Sequence, residues 1–306
     1  MAEPKASSAL SRYLDMAAIV KLTALGLEPR QVVEGCLSGN HRSPFHGFAV
    51  EFAGHRQYAP GDDVRHLDWK AYFKSDRYLL KQYAQETNFI AHLLIDVSES
   101  MTFQHRHGRK IDYVSFMAVT LAFLIHEQSD MVSATLFDDR IREHIPRSGA
   151  EQVVRKISAA LERAELKGPS AIGDVLAHAA ETSGRRALVM LFSDCFGDLD
   201  RIADGLKRLL YARHEVVLFH VLDPVETAFD LNGTVEFVEL EGTDRITIPA
   251  HQYRDAYREE FDGWLASLQE TARKLGVEYV RVSTAENFGT VLARYLNERL
   301  RTGGPW

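Results

Sequence analysis

Three observations predict an α/β fold: a doubly wound, mostly parallel sheet preceded by an N-terminal helical and β-rich lobe. From about residue 87 onward, short apolar runs alternate with helix-length segments, the pattern of a parallel sheet covered on both faces. Two of those runs, Phe89–Asp96 and Ala187–Ser193 followed by Asp194, deliver a carboxylate at the strand end. Before residue 87 the texture is different, with mixed charge, aromatic rings and turn residues.

Leu14, Ile19, Leu22, Leu25, Val32 and Val33 recur at helical spacing, broken near Gly26 to Pro29, so two short helices are expected between Leu14 and Leu37. From Gly39 to Tyr83 an irregular or β-rich lobe is expected, with a strong turn at Tyr58-Ala59-Pro60-Gly61-Asp62-Asp63. The division that follows is residues 1–86 for the N-terminal region and 87–306 for the sheet domain.

Within the second part, strands are expected near Phe89–Asp96, Val132–Phe137, Ala187–Ser193, Glu215–Leu222 and Glu278–Val282. Helices are expected near Ile111–Glu127, Gly149–Glu162, Ile172–Glu181, Leu199–Ala212, Gln252–Leu275 and Phe288–Arg301. Thr234–Ile248 alternates and reads as an inserted polar hairpin. Tyr253, Tyr257, Phe261, Trp264, Leu265 and Leu268 form an apolar stripe that most simply covers the sheet.

Composition narrows the class. The 306 residues are 45% hydrophobic and 26% charged with a net charge of −7, ordinary for a globular protein and no general attraction for nucleic acid or an anionic membrane. Cys36 and Cys195 are far apart and form no Cys-x-x-Cys pair, which argues against a disulfide scaffold or cysteine-rich zinc site and fits a reducing cytoplasm. No basic-then-apolar leader pattern is read in Met1 to Ser11, and the apolar run Val114–Ile125 is too short to span a bilayer. A cytoplasmic protein without a transmembrane segment is expected.

Asp96-Val97-Ser98-Glu99-Ser100 places one carboxylate and two hydroxyls on the turn leaving a buried strand, hard oxygen donors suited to a divalent cation. Taken alone, a helix cap explains it better than a metal. Asp194 at a matching strand end, and Ser170 in the turn Gly168–Asp174 between them, could face the same point, because ligands of doubly wound sheets collect where the winding reverses; on its own Ser170 reads as a helix N-cap.

Asp96-x-Ser98-x-Ser100, Ser170 and Asp194 together resemble the metal-ion-dependent adhesion site (MIDAS) of von Willebrand factor A domains. That family usually has Thr where this chain has Ser170, which keeps the hydroxyl and lacks the methyl. The segment from Arg56 to Lys70, RQYAPGDDVRHLDWK, is similar to the signature of domain-of-unknown-function family 58 (DUF58). Such bacterial proteins carry this segment before a von Willebrand factor A-like domain and are often encoded beside MoxR-type AAA+ ATPases. The resemblance implies a bound Mg²⁺, Mn²⁺ or Ca²⁺. Ser98 and Ser100 would be direct ligands, with Asp96, Asp194 and Ser170 direct or acting through water. It implies a partner's acidic side chain as the last ligand, and a non-enzymatic adaptor of a MoxR-type ATPase in maturation, metal insertion or assembly of other proteins.

The competing class is a Mg²⁺-dependent phosphoester hydrolase with His105, His107 or Asp138 as general base. His105 and His107 lie in the polar stretch Thr102 to Lys110, which reads as an exposed loop, and no nucleophile elbow, Walker loop or His-Glu-x-x-His is present. Cys195 reads as a small buried hydrophobe. In the lobe, Glu51, Asp62, Asp63, Asp68 and Asp76 offset the basic residues, so a nucleic-acid face is disfavoured. A structural network of Arg56, Arg65, Asp62, Asp63 and Asp68 with Trp69 buried beside it is expected instead, the alternative being that the Pro60–Asp63 turn contacts a partner.

Overall fold

Strand β3 (Ile90–Asp96), buried along almost all its length, is central to the sheet that organises the chain. The structure, a computed structural model, describes residues 12–24, 50–57, 68, 71–72, 78–85, 90–128, 130–184, 186–238 and 245–302. The chain divides into two compact units, Met1–Gly39 with Phe89–Trp306, and Asn40–Asn88.

The large unit holds a six-stranded sheet of β3, β4 (Met131–Phe137), β5 (Ile141–Ser148), β6 (Leu188–Ser193), β7 (Glu215–Leu222) and β10 (Glu278–Ser283), ordered β10-β7-β6-β3-β4-β5. All pairings are parallel except β4 with the edge strand β5. Chain order within this unit therefore reads 3-2-1-4-5-6, the doubly wound, von Willebrand factor A-like arrangement expected. The winding reverses between β3 and β6, which puts the ends of these two strands at the point where such folds bind ligands.

Helices cover both faces because neither face of a parallel sheet tolerates water. On one side α2 (Lys110–Glu127), α3 (Gln152–Arg163) and α8 (Phe288–Thr302) enclose Leu93, Ile95, Val132 and Phe219. The other side is covered by α4 (Ile172–Thr182), α5 (Leu199–Tyr211) and α7 (Ala250–Leu275), over Leu94, Val189, Leu191 and Leu218. The stripe on α7 covers the sheet as expected through buried Phe261, Leu265 and Leu268, while Tyr253 is exposed. A short helix, α6 (Pro224–Ala228), opens with a capping box between Asp223 and Glu226. The expected hairpin forms as β8 (Thr234–Val238) and β9 (Arg245–Pro249), antiparallel.

Helices α4 and α5 meet through glycines. A Cβ at Gly173 would lie 2.7 Å from the Arg201 carbonyl oxygen, and one at Gly205 would lie 2.7 Å from Leu176 Cβ and 2.9 Å from the Gly173 oxygen. Neither position has room for a methyl group.

Helix α1 (Met16–Ala24), capped by Asp15 Oδ1 on the amides of Ala17 and Ala18, packs within the large unit: its Ala18 lies against Gly289 of α8. The division expected at residue 86 grouped this helix with the lobe. Its buried face of Ala18, Ile19 and Leu22 instead belongs to the larger unit. The second helix expected before Leu37 lies outside the described residues.

In the small unit, β1 (Val50–Gln57) and β2 (Leu79–Gln85) pair antiparallel with a register shift between Phe52 and Gly54. Asp68 is buried and accepts from the Ala71 amide at 3.1 Å, and Tyr72 stacks on Tyr78. The Tyr58–Asp63 turn, the side chains of Arg56 and Arg65, and Trp69 lie outside the described residues, as does the ion network expected among them.

Candidate functional site

Asp96 is the last residue of β3 and is fully buried. Its Oδ1 accepts from the Ser98 amide at 2.9 Å, which folds the turn back over the strand end. Oδ2 accepts from Ser193 Oγ at 2.6 Å and from Ser170 Oγ at 2.8 Å. Burial, then the charge of nearby Asp194, pushes the Asp96 carboxyl up to about 6, against the pull of the hydroxyl donors.

The turn places Ser98 and Ser100 side by side, with 3.0 Å between their Oγ atoms. A 3-10 turn over Glu99–Thr102 carries Ser100, and the Glu99 amide bonds the Gly168 carbonyl at 3.0 Å. The Ala171 amide bonds the Asp138 carbonyl at 2.8 Å. These two backbone bonds clamp the segment holding Ser170 against the ends of β3 and β4. Asp96, Ser98, Ser100 and Ser170 are thus gathered at the carboxyl end of the central strands, Ser170 being the partly exposed member.

Asp194 follows β6 and is fully buried, but its carboxylate is turned to a cation of the chain itself. Lys110, at the start of α2 and 1% exposed, donates from Nζ to Asp194 Oδ2 at 2.6 Å and to Glu226 Oε1 at 2.9 Å. Burial disfavours the ammonium, yet the two carboxylates outweigh it and the Lys110 pKa is raised. The rings of Phe103 and Phe196 stand 5.5 and 5.3 Å from Nζ. Asp194 Oδ1 faces the Phe196 amide at 3.4 Å.

The turn after β6 is strained: Cys195 has φ +56°, a left-handed conformation unusual for a side chain with a Cβ. The Cys195 amide donates to Ser193 Oγ at 2.9 Å, which helps hold this turn. His220, fully buried on β7, hydrogen-bonds the Asp194 carbonyl through Nε2 at 2.8 Å. A carbonyl only accepts, so Nε2 carries the proton and Nδ1 accepts from Tyr279 OH at 2.7 Å. Burial drives the His220 pKa down to about 4, consistent with that neutral ring.

Lys110, Glu226, Ser193 and His220 were not singled out from the sequence. Lys110 had a visible signal, a lysine heading an otherwise apolar helical run. The other three become legible only when β6, β7 and α6 are brought together.

Among the described residues no three His, Cys, Asp or Glu side chains gather to hold a metal. Any ion at this end of the strands must therefore rely on hydroxyls and water as well as Asp96. That donor set, all hard oxygens, fits Mg²⁺ or Mn²⁺.

The candidates for general base are exposed or already engaged. His105 and His107 are exposed in the segment before α2. Asp138 is buried and held by Arg142 Nε. Cys195 is fully buried, and burial followed by the charges of Asp194 and Asp96 raises its thiol pKa well above the usual range, as an inert core residue requires. No helix among the described residues is long and apolar enough to cross a membrane.

The family model described as "Protein of unknown function DUF58" matches residues 54–270. Relatives include the uncharacterized protein Rv1480 of Mycobacterium tuberculosis and the uncharacterized protein Mb1516 of Mycobacterium bovis. Each is 25% identical over 287 residues, covering 92% of this chain and 89% of the relative. Among solved structures, an aerotolerance-related membrane protein from Bacteroides fragilis matches at TM-score 0.47 and 16% identity, covering 70% of this chain and 98% of that one. BatB from Bacteroides thetaiotaomicron matches at TM-score 0.44 and 15% identity, over 70% and 99%. The SpRpn10 VWA domain matches at TM-score 0.41 and 11% identity, over 67% and 94%.

Proposed function

This chain belongs to the DUF58 family, and we propose that it is a non-enzymatic, divalent-cation-dependent protein-interaction module. One observation carries the proposal: the hydroxyls of Ser98, Ser100 and Ser170 collect around buried Asp96 at the switch point of the sheet. Ser98 and Ser100 would hold the ion directly, with Asp96 and Ser170 direct or through water, and Asp194 contributing at most through water while Lys110 engages it. A bound Mg²⁺ or Mn²⁺ would supply an open coordination position for a partner's acidic side chain.

Asp96 also acts by positioning, together with Ser193. Asp96 fixes the turn through the Ser98 amide and draws in Ser170, and Ser193 locks the carboxylate from the neighbouring strand. The hydroxyls are neutral, so they orient an ion without cancelling its charge.

The partner we propose is a MoxR-type AAA+ ATPase, with the chain serving in the cytoplasm as its adaptor in maturation, metal insertion or assembly of other proteins. Co-purification with such an ATPase, with and without a chelator, tests it. Capture abolished by the chelator, and by Asp96→Ala, is the expected result. Capture unaffected by both would overturn the proposal, and Mg²⁺-dependent turnover of a generic phosphodiester by the isolated chain would favour a hydrolase.

A further inference from the structure

We infer that Lys110 sets the charge of this site: by neutralising Asp194 it leaves Asp96 as the one anionic ligand for a divalent ion, keeping the ion receptive to a partner's carboxylate. The inference rests on the divalent-ion reading proposed above and concerns how that site is tuned.

The geometry is that of a built contact. Lys110 and Asp194 are 1% and 0% exposed, and the ammonium lies 2.6 Å from Asp194 Oδ2. A lone ammonium is too costly to bury, and a second carboxylate, Glu226 at 2.9 Å, shares it. The ammonium also lies over the rings of Phe103 and Phe196. Glu226 is itself fixed, since its Oε2 accepts from the Asp223 amide at 2.6 Å in the capping box of α6. Lys110 is therefore held at both ends of its bridge.

The electrostatic consequence has two opposite parts. In a poorly solvated site charges act strongly on one another. With Lys110 removed, Asp194 and Glu226 lose the cation they share, and a divalent ion nearby becomes the cation that can balance Asp194. A divalent ion then binds more tightly, and its remaining affinity for an external carboxylate falls. Lys110 thus exchanges metal affinity for acid capture, and the two must move in opposite directions when it is replaced.

The test uses the full chain with Mn²⁺ as the metal probe, its affinity read by electron paramagnetic resonance of the free ion. Acetate serves as the acidic probe, read by loss of water-proton relaxation enhancement from bound Mn²⁺. Lys110→Met is expected to bind Mn²⁺ at least about tenfold tighter than wild type, and its bound Mn²⁺ to take up acetate at least about tenfold less readily. A folded Lys110→Met that binds Mn²⁺ no tighter than wild type overturns the inference, as does unchanged acetate uptake. Absence of Mn²⁺ binding in both wild type and variant overturns the divalent-ion reading itself, and the inference with it. Where Lys110→Met does not fold, Glu226→Gln tests the balance from the other side by leaving Lys110 to Asp194 alone. It is expected to weaken Mn²⁺ binding by about threefold or more, and unchanged or tighter binding overturns the inference.

Discussion

Ser170 and Asp96, 74 residues apart in the chain, are joined by a 2.8 Å hydrogen bond from the serine hydroxyl to the aspartate Oδ2. The bond ties the segment before α4 to the end of the central strand, so the candidate ligands arrive from two separate elements.

Ser170→Ala removes a hydroxyl from the cluster and one donor from a carboxylate that keeps Ser193 and the Ser98 amide. Its stability cost should be about 1–2 kcal/mol by urea unfolding. Mn²⁺ affinity should fall by an order of magnitude, and Ser170→Thr should retain it because the hydroxyl is kept. Equal Mn²⁺ affinity in all three proteins would remove Ser170 from the site.

Asp96→Ala strands three donors at once, the Ser98 amide and the hydroxyls of Ser170 and Ser193. Buried donors without acceptors cost about 1–3 kcal/mol each before relaxation, so unfolding midpoints should drop well beyond the Ser170→Ala shift. Asp96→Asn keeps an acceptor and should recover much of that stability while still losing Mn²⁺. Recovery of Mn²⁺ binding by the asparagine variant would show that the carboxylate charge is dispensable.

His220 predicts the response to acid. Its folded pKa, about 4, lies below the ordinary value of 6.5, so the unfolded chain takes up the proton first as pH falls. Its contribution to stability is fully present above pH 6.5 and is lost progressively between pH 6.5 and pH 4. The loss approaches about 3 kcal/mol for this one ring. His220→Gln should lessen the pH dependence of urea-unfolding free energy over that window, in which buried His92, also driven down to about 4, acts with the same sign and Asp96 with the opposite one. An unchanged slope would mean that other groups govern acid sensitivity.

Much of the sheet was legible because its strands are uninterrupted apolar runs, and Ile90–Asp96 and Leu188–Ser193 fall almost where the periodicity placed them. The strand β5 was not read, for a physical reason. Ile-Arg-Glu-His-Ile-Pro-Arg-Ser carries charges and Pro146, features that protect a sheet edge from pairing with another chain, and only Ile145 of it is buried. The serine and aspartate oxygens were visible as strand-end motifs. Lys110 was not read into the site because its partners, Asp194 and Glu226, lie 84 and 116 residues away. The role of Asp194 depends on that lysine, and strand-end position alone does not reveal it.

Gly205→Ala should destabilise the large unit by about 1–3 kcal/mol, since the new methyl meets Leu176 Cβ at 2.7 Å and the backbone oxygen of Gly173 at 2.9 Å. Thermal unfolding of the variant measures it directly, and an unchanged midpoint would mean that α4 and α5 separate freely.

That close approach has a bearing on the segment that carries Ser170. Ser170 stands two residues before α4, the helix that α5 meets through Gly173 and Gly205, and its hydroxyl reaches Asp96. A methyl added at Gly205 on α5 would press on α4 at Leu176 and Gly173, and so bear on the segment that carries Ser170. The thinnest residues of the fold are in this sense its adjusting screws.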